Sequence, residues 1–317
     1  MYSEIIDASA AFDVSLRPDV IETALVKRPV FDREGRRVYA KLENTQHTGS
    51  FKLRGATAKL ESLHPEQLAA GVVTASTGNH GAAVARAAAH LNTAVEVFVS
   101  TEADASKVGA IRDIGATIRA IPGDPVDAEI AARDEARRKG RTYVPPYNDA
   151  TVIAGQGTIA VELIRQMEPP EAVLVSVGGG GLISGIAATL NHHWPDTRII
   201  GASAANSAAM HQSVAAGSII EVEHRDTLSD GTAGGIEARS MTFELCRALV
   251  SDWILVQEDE IAAAMRAYMS NYPDRIEGSA GLALAALDHA DLGGPVVVVI
   301  CGQNVADATL ARIGLSR

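Results

Sequence analysis

From residue 71 onward, short β-branched runs alternate with longer stretches in which apolar residues recur at helical spacing. GVVTA (71–75) precedes NHGAAVARAAAHL (79–91), AVEVFVS (94–100) precedes ASKVGAIRDIGA (105–116), and TIRAIP (117–122) precedes VDAEIAARDEARRKG (126–140). A second series runs from a helical stretch at 150–167 through the strand AVLVSV (172–177) and the helix SGIAATLNHH (184–193) to the strand RIIGASA (198–204). Strands separated by helical crossovers predict βαβ units and parallel sheets. The last strand, PVVVVIC (295–301), is an uninterrupted apolar run bounded by glycines, the pattern of a strand buried on both faces. No repeat period recurs, which excludes a solenoid. The pair Pro145 and Pro146 and the stretch DGTAGG (230–235) are the clearest interruptions, each a lobe boundary or a loop.

Composition places this α/β pattern in an ordinary soluble class. With 317 residues, 47% of them hydrophobic, the chain can bury the core of two lobes or of one large domain. A net charge of -11 without a Lys/Arg cluster argues against a nucleic-acid or anionic-membrane partner. Two cysteines, Cys246 and Cys301, are too few for a disulfide framework and fit a reducing compartment. The N-terminus lacks a basic start followed by an apolar stretch, and no apolar run reaches the length of a membrane span. A cytoplasmic location is expected.

Four segments carry candidate chemistry. In VGGGGLISG (177–185), Gly178, Gly179, Gly180 and Gly181 follow an apolar strand and precede a helical pattern. Such a turn lets backbone N–H groups approach a phosphate at a helix N-terminus, whereas a plain strand-to-helix turn needs only one or two glycines. Neither G-x-G-x-x-G nor G-x-x-x-x-G-K-[ST] fits these glycines, which disfavours NAD and ATP and leaves a small phosphorylated cofactor. In TGSFKLRGA (48–56), Lys52 sits between Phe51 and Leu53, a setting suited to a Schiff-base lysine beside a ring that packs on a flat cofactor, although most lysines are solvated surface charges.

The third segment is TASTGNHGAAVA (74–85), where Asn79 opens an alanine-rich helix whose free N–H groups suit a substrate carboxylate. His80 is a candidate base there, and the competing reading is that Ser76, Thr77 and Asn79 only cap the helix. Fourth, Cys301 ends the buried strand where ligands of parallel sheets sit, with simple packing as the alternative. None of the nine histidines is paired at i, i+4, and the adjacent His192 and His193 point to different faces of a helix, so no metal site is expected.

In this order and spacing, the segments resemble the fold-type II pyridoxal-phosphate (PLP) enzymes, within them the serine/threonine dehydratase group that also contains serine racemase. The resemblance spans nearly the whole chain through KLENTQHTGSFKLRGA (41–56), STGNHG (76–81), VIAGQGTIAVEL (152–163), VGGGGL (177–182), SDGTAGG (229–235), IEGSAGLALA (276–285) and CGQN (301–304). It implies a tryptophan synthase β-like fold of two lobes, each with a mainly parallel sheet flanked by helices. Residues 1–70 and 149–317 would form a large cofactor-binding domain and 71–148 a small mobile one, in a homodimer.

The same resemblance makes Lys52 the residue that holds PLP, puts Phe51 against the cofactor ring, and assigns the phosphate to the four glycines. Asn79 would meet the ring hydroxyl and Cys301 the pyridine nitrogen, a neutral partner that favours elimination over transamination. Ser76, Thr77, Asn79 and His80 would bind substrate, a small β-hydroxy amino acid such as serine, threonine or 3-hydroxyaspartate. Lys52 would remove its α-proton and the products would be a 2-oxo acid and ammonia. Thr77 stands where serine racemase has the serine that acts as an acid, which makes racemisation the less favoured outcome. Ser203 and Ala209 stand where that enzyme's divalent-cation carboxylates are expected, so no metal is transferred. The chain ends soon after CGQN, so a regulatory domain and feedback by isoleucine are not expected. Tyr147, Asn148 and 231–235 are candidates for the substrate side-chain pocket. Arg54 and Arg275 are candidates for a second substrate carboxylate or, more simply, structural residues. A racemase, a β-replacement enzyme on the same scaffold and a catalytically inactive ligand-binding protein are the alternatives.

Overall fold

A computed structural model describes residues 2–12, 17, 19–103 and 105–315. Among them ten strands occur: β1 (Leu25–Lys27), β2 (Arg37–Lys41), β3 (Val72–Ala75), β4 (Val95–Ser100), β5 (Thr117–Ile121), β6 (Thr142–Tyr143), β7 (Ala172–Ser176), β8 (Arg198–Ala204), β9 (Asp252–Val256) and β10 (Pro295–Val299). They form a six-stranded sheet in the order β1-β2-β10-β7-β8-β9 and a four-stranded sheet in the order β5-β4-β3-β6. Only the β1–β2 pair is antiparallel. The βαβ reading and its parallel sheets are therefore borne out. No helix among the described residues is long and apolar enough to cross a membrane.

The apolar run of β10 lies between β2 and β7, and Val296, Val297, Val298 and Val299 are fully buried. Covering both faces leaves no place for a polar residue in this strand. The four-stranded sheet reaches the same end by alternation. Val72, Val95, Val97 and Val99 join a cluster with Val84 and Ala88 of helix Asn79–His90, while Val73 and Phe98 face Ala128, Ala132 and Ala136 of helix Pro125–Lys139. Successive side chains on a strand point to opposite faces, so one strand feeds two helical layers.

Helix Lys52–Glu61 stands between the two sheets. Leu53, Ala56 and Leu60 complete the core of the four-stranded sheet. On its other side Gly55 meets Gly155 of helix Ala150–Gln166, and a Cβ on Gly155 would come within 2.6 Å of the Gly55 Cα. The paired glycines let the two backbones touch. Helix Ala150–Gln166 begins where predicted because the Asp149 carboxylate accepts from the Thr151 and Val152 amides. The strands absent from the expectation are β1, β2, β6 and β9. The first and third are very short, β9 is an edge strand with Leu255 exposed, and β2 hides its character behind Arg37 and Lys41.

Candidate active site

In parallel sheets, ligands collect beyond the carboxyl ends of the strands. Past the end of β10, the backbone of Gly302 bridges to Ser50, and the Phe51 amide donates to the Cys301 carbonyl at 3.0 Å. This crossing carries the 48–51 turn to the strand end and starts helix Lys52–Glu61 there. The Lys52 ammonium lies 5.1 Å from the centre of the Phe51 ring and donates to the Pro146 carbonyl at 2.8 Å. Burial pulls its pKa down to about 8, against the opposing pull of Cys301 and Glu277.

Two residues along the helix, Arg54 is wholly enclosed. Its guanidinium donates to Glu43 at 2.7 and 2.8 Å and to Glu162 at 2.5 and 2.9 Å, and Glu162 also accepts from buried Lys41. Two cations and two carboxylates thus balance in the interior and fix the helix that bears Lys52. Arg54 has no capacity left for a substrate. Arg275 donates to the Val305 carbonyl and to Asp307, also a structural use.

The glycine turn follows β7. Gly180 adopts φ +83°, a left-handed conformation open to glycine at little cost, and helix Gly181–His193 begins beside it with no side chain capping its first amides. A Cβ at Gly178 would come within 2.8 Å of the Thr232 backbone, and one at Gly179 within 2.5 Å of the Tyr147 ring. The 229–235 loop and Tyr147 therefore lie directly against the turn. The Tyr147 hydroxyl accepts from the Glu237 amide at 2.9 Å, and Asn148 bonds the Met241 amide and the Glu237 carboxylate. Of these two expected pocket residues, Tyr147 is brought to the turn, and Asn148 is held beside it by the 237–241 segment.

Helix Asn79–His90 also starts without a side-chain cap, since Ser76 Oγ accepts instead from the Gly78 amide ahead of it. The capping reading of this segment does not hold, and its leading amides remain free for an anion. Thr77 lies in the bend before the helix and is partly exposed. His80 is buried, its Nε2 held 2.9 Å from the Val144 carbonyl. A carbonyl only accepts, so Nε2 carries the proton. Burial, then the charge of Lys52, drive the pKa of this imidazole down to about 3. It is a neutral ring fixed to the strand end.

The residue that sequence reading missed is Glu277. It is 3% exposed, and its carboxylate accepts from Asn79 Nδ2 at 2.9 and 3.1 Å while Cys301 Sγ lies 3.7 Å away. Gly302 makes room for it, because a Cβ there would come within 2.7 Å of the carboxylate. Burial raises the Glu277 pKa to about 7. The same burial, with Glu277 alongside, lifts the Cys301 thiol well above its ordinary range, so it stays protonated. An acidic residue before an apolar helical run reads as an N-cap, which hid Glu277. It does precede helix Gly278–Ala285, but its side chain caps nothing there.

These surroundings fit the phosphorylated, aldehyde-bearing cofactor that the sequence led us to expect. Four consecutive glycines leave a cradle that any Cβ would fill, ahead of uncapped amides suited to a phosphate. The Ser50 hydroxyl, next to Phe51, is buried with no protein partner among the described residues. An amine with a lowered pKa, an aromatic ring and a neutral thiol supply the remaining needs of a flat heterocycle.

Comparison with known proteins agrees. The family description "pyridoxal-phosphate dependent enzyme" matches residues 16–302. The L-threonine ammonia-lyase of Geobacter sulfurreducens is 38% identical over 309 residues, covering 95% of this chain and 76% of that one. The catabolic L-threonine dehydratase of Escherichia coli is 37% identical over 282 residues, covering 87% and 85%. Among solved structures, the processed threonine deaminase isoform 2 of Solanum lycopersicum superposes with a TM-score of 0.93 at 31% identity, over 99% of this chain and 87% of that one. Maize serine racemase gives 0.90 at 30% identity, over 97% and 95%. A match over most of the length, on a fold whose strand ends gather a lysine, a glycine cradle and a neutral thiol, makes this chain a member of the pyridoxal-phosphate-dependent enzymes, of the fold-type II serine/threonine dehydratase group.

Proposed function

We propose that the enzyme eliminates the hydroxyl of a small β-hydroxy amino acid, serine or threonine in type, and releases a 2-oxo acid and ammonia. The observation that carries this reading is the Lys52 amine, with its pKa brought down to about 8 at the end of β10. PLP, when bound, supplies an electron sink for the bond broken at the α-carbon. Gly178, Gly179, Gly180 and Gly181 would hold its phosphate, Phe51 and Asn79 its ring, and Cys301 its ring nitrogen.

The chain's own residues then divide the work. The free amides of helix Asn79–His90, with Ser76 and Thr77 ahead of them, bind the substrate carboxylate. His80 supports this segment from the Val144 carbonyl rather than moving a proton. A neutral Lys52 Nζ takes the α-proton, and a proton returned from Nζ leaves with the β-hydroxyl as water. The enamine set free takes water back and loses ammonia, so the net change is amino acid to 2-oxo acid plus ammonia. Cys301, kept protonated, adds no charge opposite the ring nitrogen, which favours elimination over transamination. With Arg54 and Arg275 committed elsewhere, neither supplies a cation for a second substrate carboxylate, and serine or threonine is preferred to 3-hydroxyaspartate.

The names of the relatives support the reaction class. A cytoplasmic location and a homodimer belong to the same reading, the location supported by two buried free thiols. So does a small mobile domain at 71–148, supported by a separate four-stranded sheet lying within it. The Lys52→Ala variant is expected to lose both the visible absorbance of bound cofactor and ammonia release. Persistence of both would sink the assignment. Wild-type enzyme given L-serine, L-threonine and 3-hydroxyaspartate, with 2-oxo acid and chirality followed separately, is expected to yield 2-oxo acid from the first two. Inversion without 2-oxo acid would make it a racemase.

A further inference from the structure

Around Asn79 the direction of every hydrogen bond is fixed by chemistry. Asn304 Nδ2 donates to the Thr48 carbonyl at 2.8 Å and to Asn79 Oδ1 at 2.7 Å, and Asn79 Nδ2 donates to both oxygens of Glu277. A backbone carbonyl at one end only accepts, and so does an ionised carboxylate at the other, so neither amide between them can flip without facing oxygen to oxygen. The row also joins the two sheets. Asn79 begins the helix that follows β3, whereas Glu277, Cys301 and Asn304 gather at the end of β10. Nothing local to Asn79 sets its amide. Its orientation depends on residues 198 and 225 positions away in sequence, Glu277 and Asn304.

We propose that Glu277 is a further positioning residue of this site: its carboxylate, opposite Asn304, holds the Asn79 amide in its orientation and ties the helix Asn79–His90 to the end of β10 beside Cys301. The inference rests on the reading of Asn79 as a residue that meets the cofactor. Glu277 suits the task because it is enclosed, carries two acceptor oxygens and is given space by Gly302. The titratable groups facing it are Lys52, Cys301 and Asp230. Cys301 stays neutral, and Asp230 opposes ionisation of Glu277. Protonation of Glu277 removes one acceptor and loosens the hold on Asn79.

The test is the dissociation constant of PLP from the apoprotein, measured by equilibrium ultrafiltration for wild type, Asn79→Ala, Glu277→Leu, Glu277→Gln and the Asn79→Ala/Glu277→Gln pair. Asn79→Ala and Glu277→Leu are each expected to weaken binding about tenfold, the worth of one charge-assisted hydrogen bond. Glu277→Gln keeps an acceptor for Asn79 but loses the charge, and is expected to bind about threefold more weakly than wild type at pH 8. The difference between the wild-type and Glu277→Gln profiles should turn near pH 7, where Glu277 titrates. The double variant should bind like Asn79→Ala alone, because both changes break one row of bonds. Wild-type affinity in Glu277→Leu, parallel pH profiles, or additive losses in the pair would each overturn the inference while leaving the reading of Asn79 intact. Unchanged affinity in Asn79→Ala would overturn that reading and the inference with it. If Glu277→Leu does not fold, the Glu277→Gln profile and the coupling with Asn79 decide the matter.

Discussion

Lys52 shows how strongly a single environment can retune a residue. In water a lysine holds its proton to a pKa of about 10.4, whereas at the end of β10 burial brings this one to about 8. Because the folded pKa lies below the unfolded one, the folded apoprotein gains stability from this group as pH rises from about 8 to about 10, where the unfolded chain still binds the proton. The same shift governs reactivity, since only the neutral amine attacks an aldehyde. Covalent capture of added PLP by the apoprotein, trapped with borohydride, should therefore rise through pH 8 and level off by about pH 9.5. A rate still climbing at that point would mean an ordinary lysine. Legibility at this scale follows from motifs taken together. Lys52, Asn79, Cys301 and the glycines each sit in a short motif that is weak alone, and they become candidates only through the joint order and spacing of those motifs. Glu277 acquires meaning only through Asn79 and Cys301, so its own segment cannot announce it.

Helix Lys52–Glu61 raises the question of what holds the element bearing Lys52 still while it serves two cores. Its apolar face belongs to the four-stranded sheet, yet Arg54 reaches the other way into the charged cluster of Glu43, Glu162 and Lys41. That cluster explains why β2 was hard to read. RVYAK looks like a half-exposed strand, but Lys41 is fully buried because its ammonium has Glu162, Gln166 and the Thr23 carbonyl as partners. Elements whose burial is apolar, such as β10 and the βαβ strands, were readable from periodicity, and those buried through ion pairs were not. Removing one carboxylate leaves a buried positive charge uncompensated. Glu162→Gln is expected to lower stability by about 3 to 5 kcal/mol and to reduce PLP occupancy by freeing the start of the helix. Urea unfolding of the apoprotein checks this, and a change below about 0.5 kcal/mol would remove the cluster from the account of how Lys52 is held.

Across the whole molecule, exposed ion pairs link outer elements of the two sheets. Lys107 pairs with Asp230 at 3.0 Å and Arg133 with Glu237 at 3.1 Å, all four side chains keeping roughly a third or more of their surface exposed. Exposed pairs of this kind contribute about 0 to 1 kcal/mol each and weaken with salt. A second tie is the row from exposed Asn304 through half-buried Asn79 to buried Glu277, and it sits beside the free helix amides assigned to the substrate carboxylate. Exposed pairs as weak as these would permit the proposed small domain to move, and a ligand gripping both sides would shift it toward closure. Hydrogen exchange of the PLP-bound enzyme should therefore slow in helices Ala105–Asp113 and Pro125–Lys139 when α-methylserine is added. This analogue carries the carboxylate and hydroxyl but no α-proton to lose. Helix Ala150–Gln166, packed on the six-stranded sheet's side, should exchange alike with and without it. Slowing confined to the residues touching the ligand, or equal slowing in all three helices, would argue that the chain from 71 to 148 does not move as a unit. The Lys107–Asp230 and Arg133–Glu237 pairs would then be static surface decoration rather than the outer edge of a closing cleft.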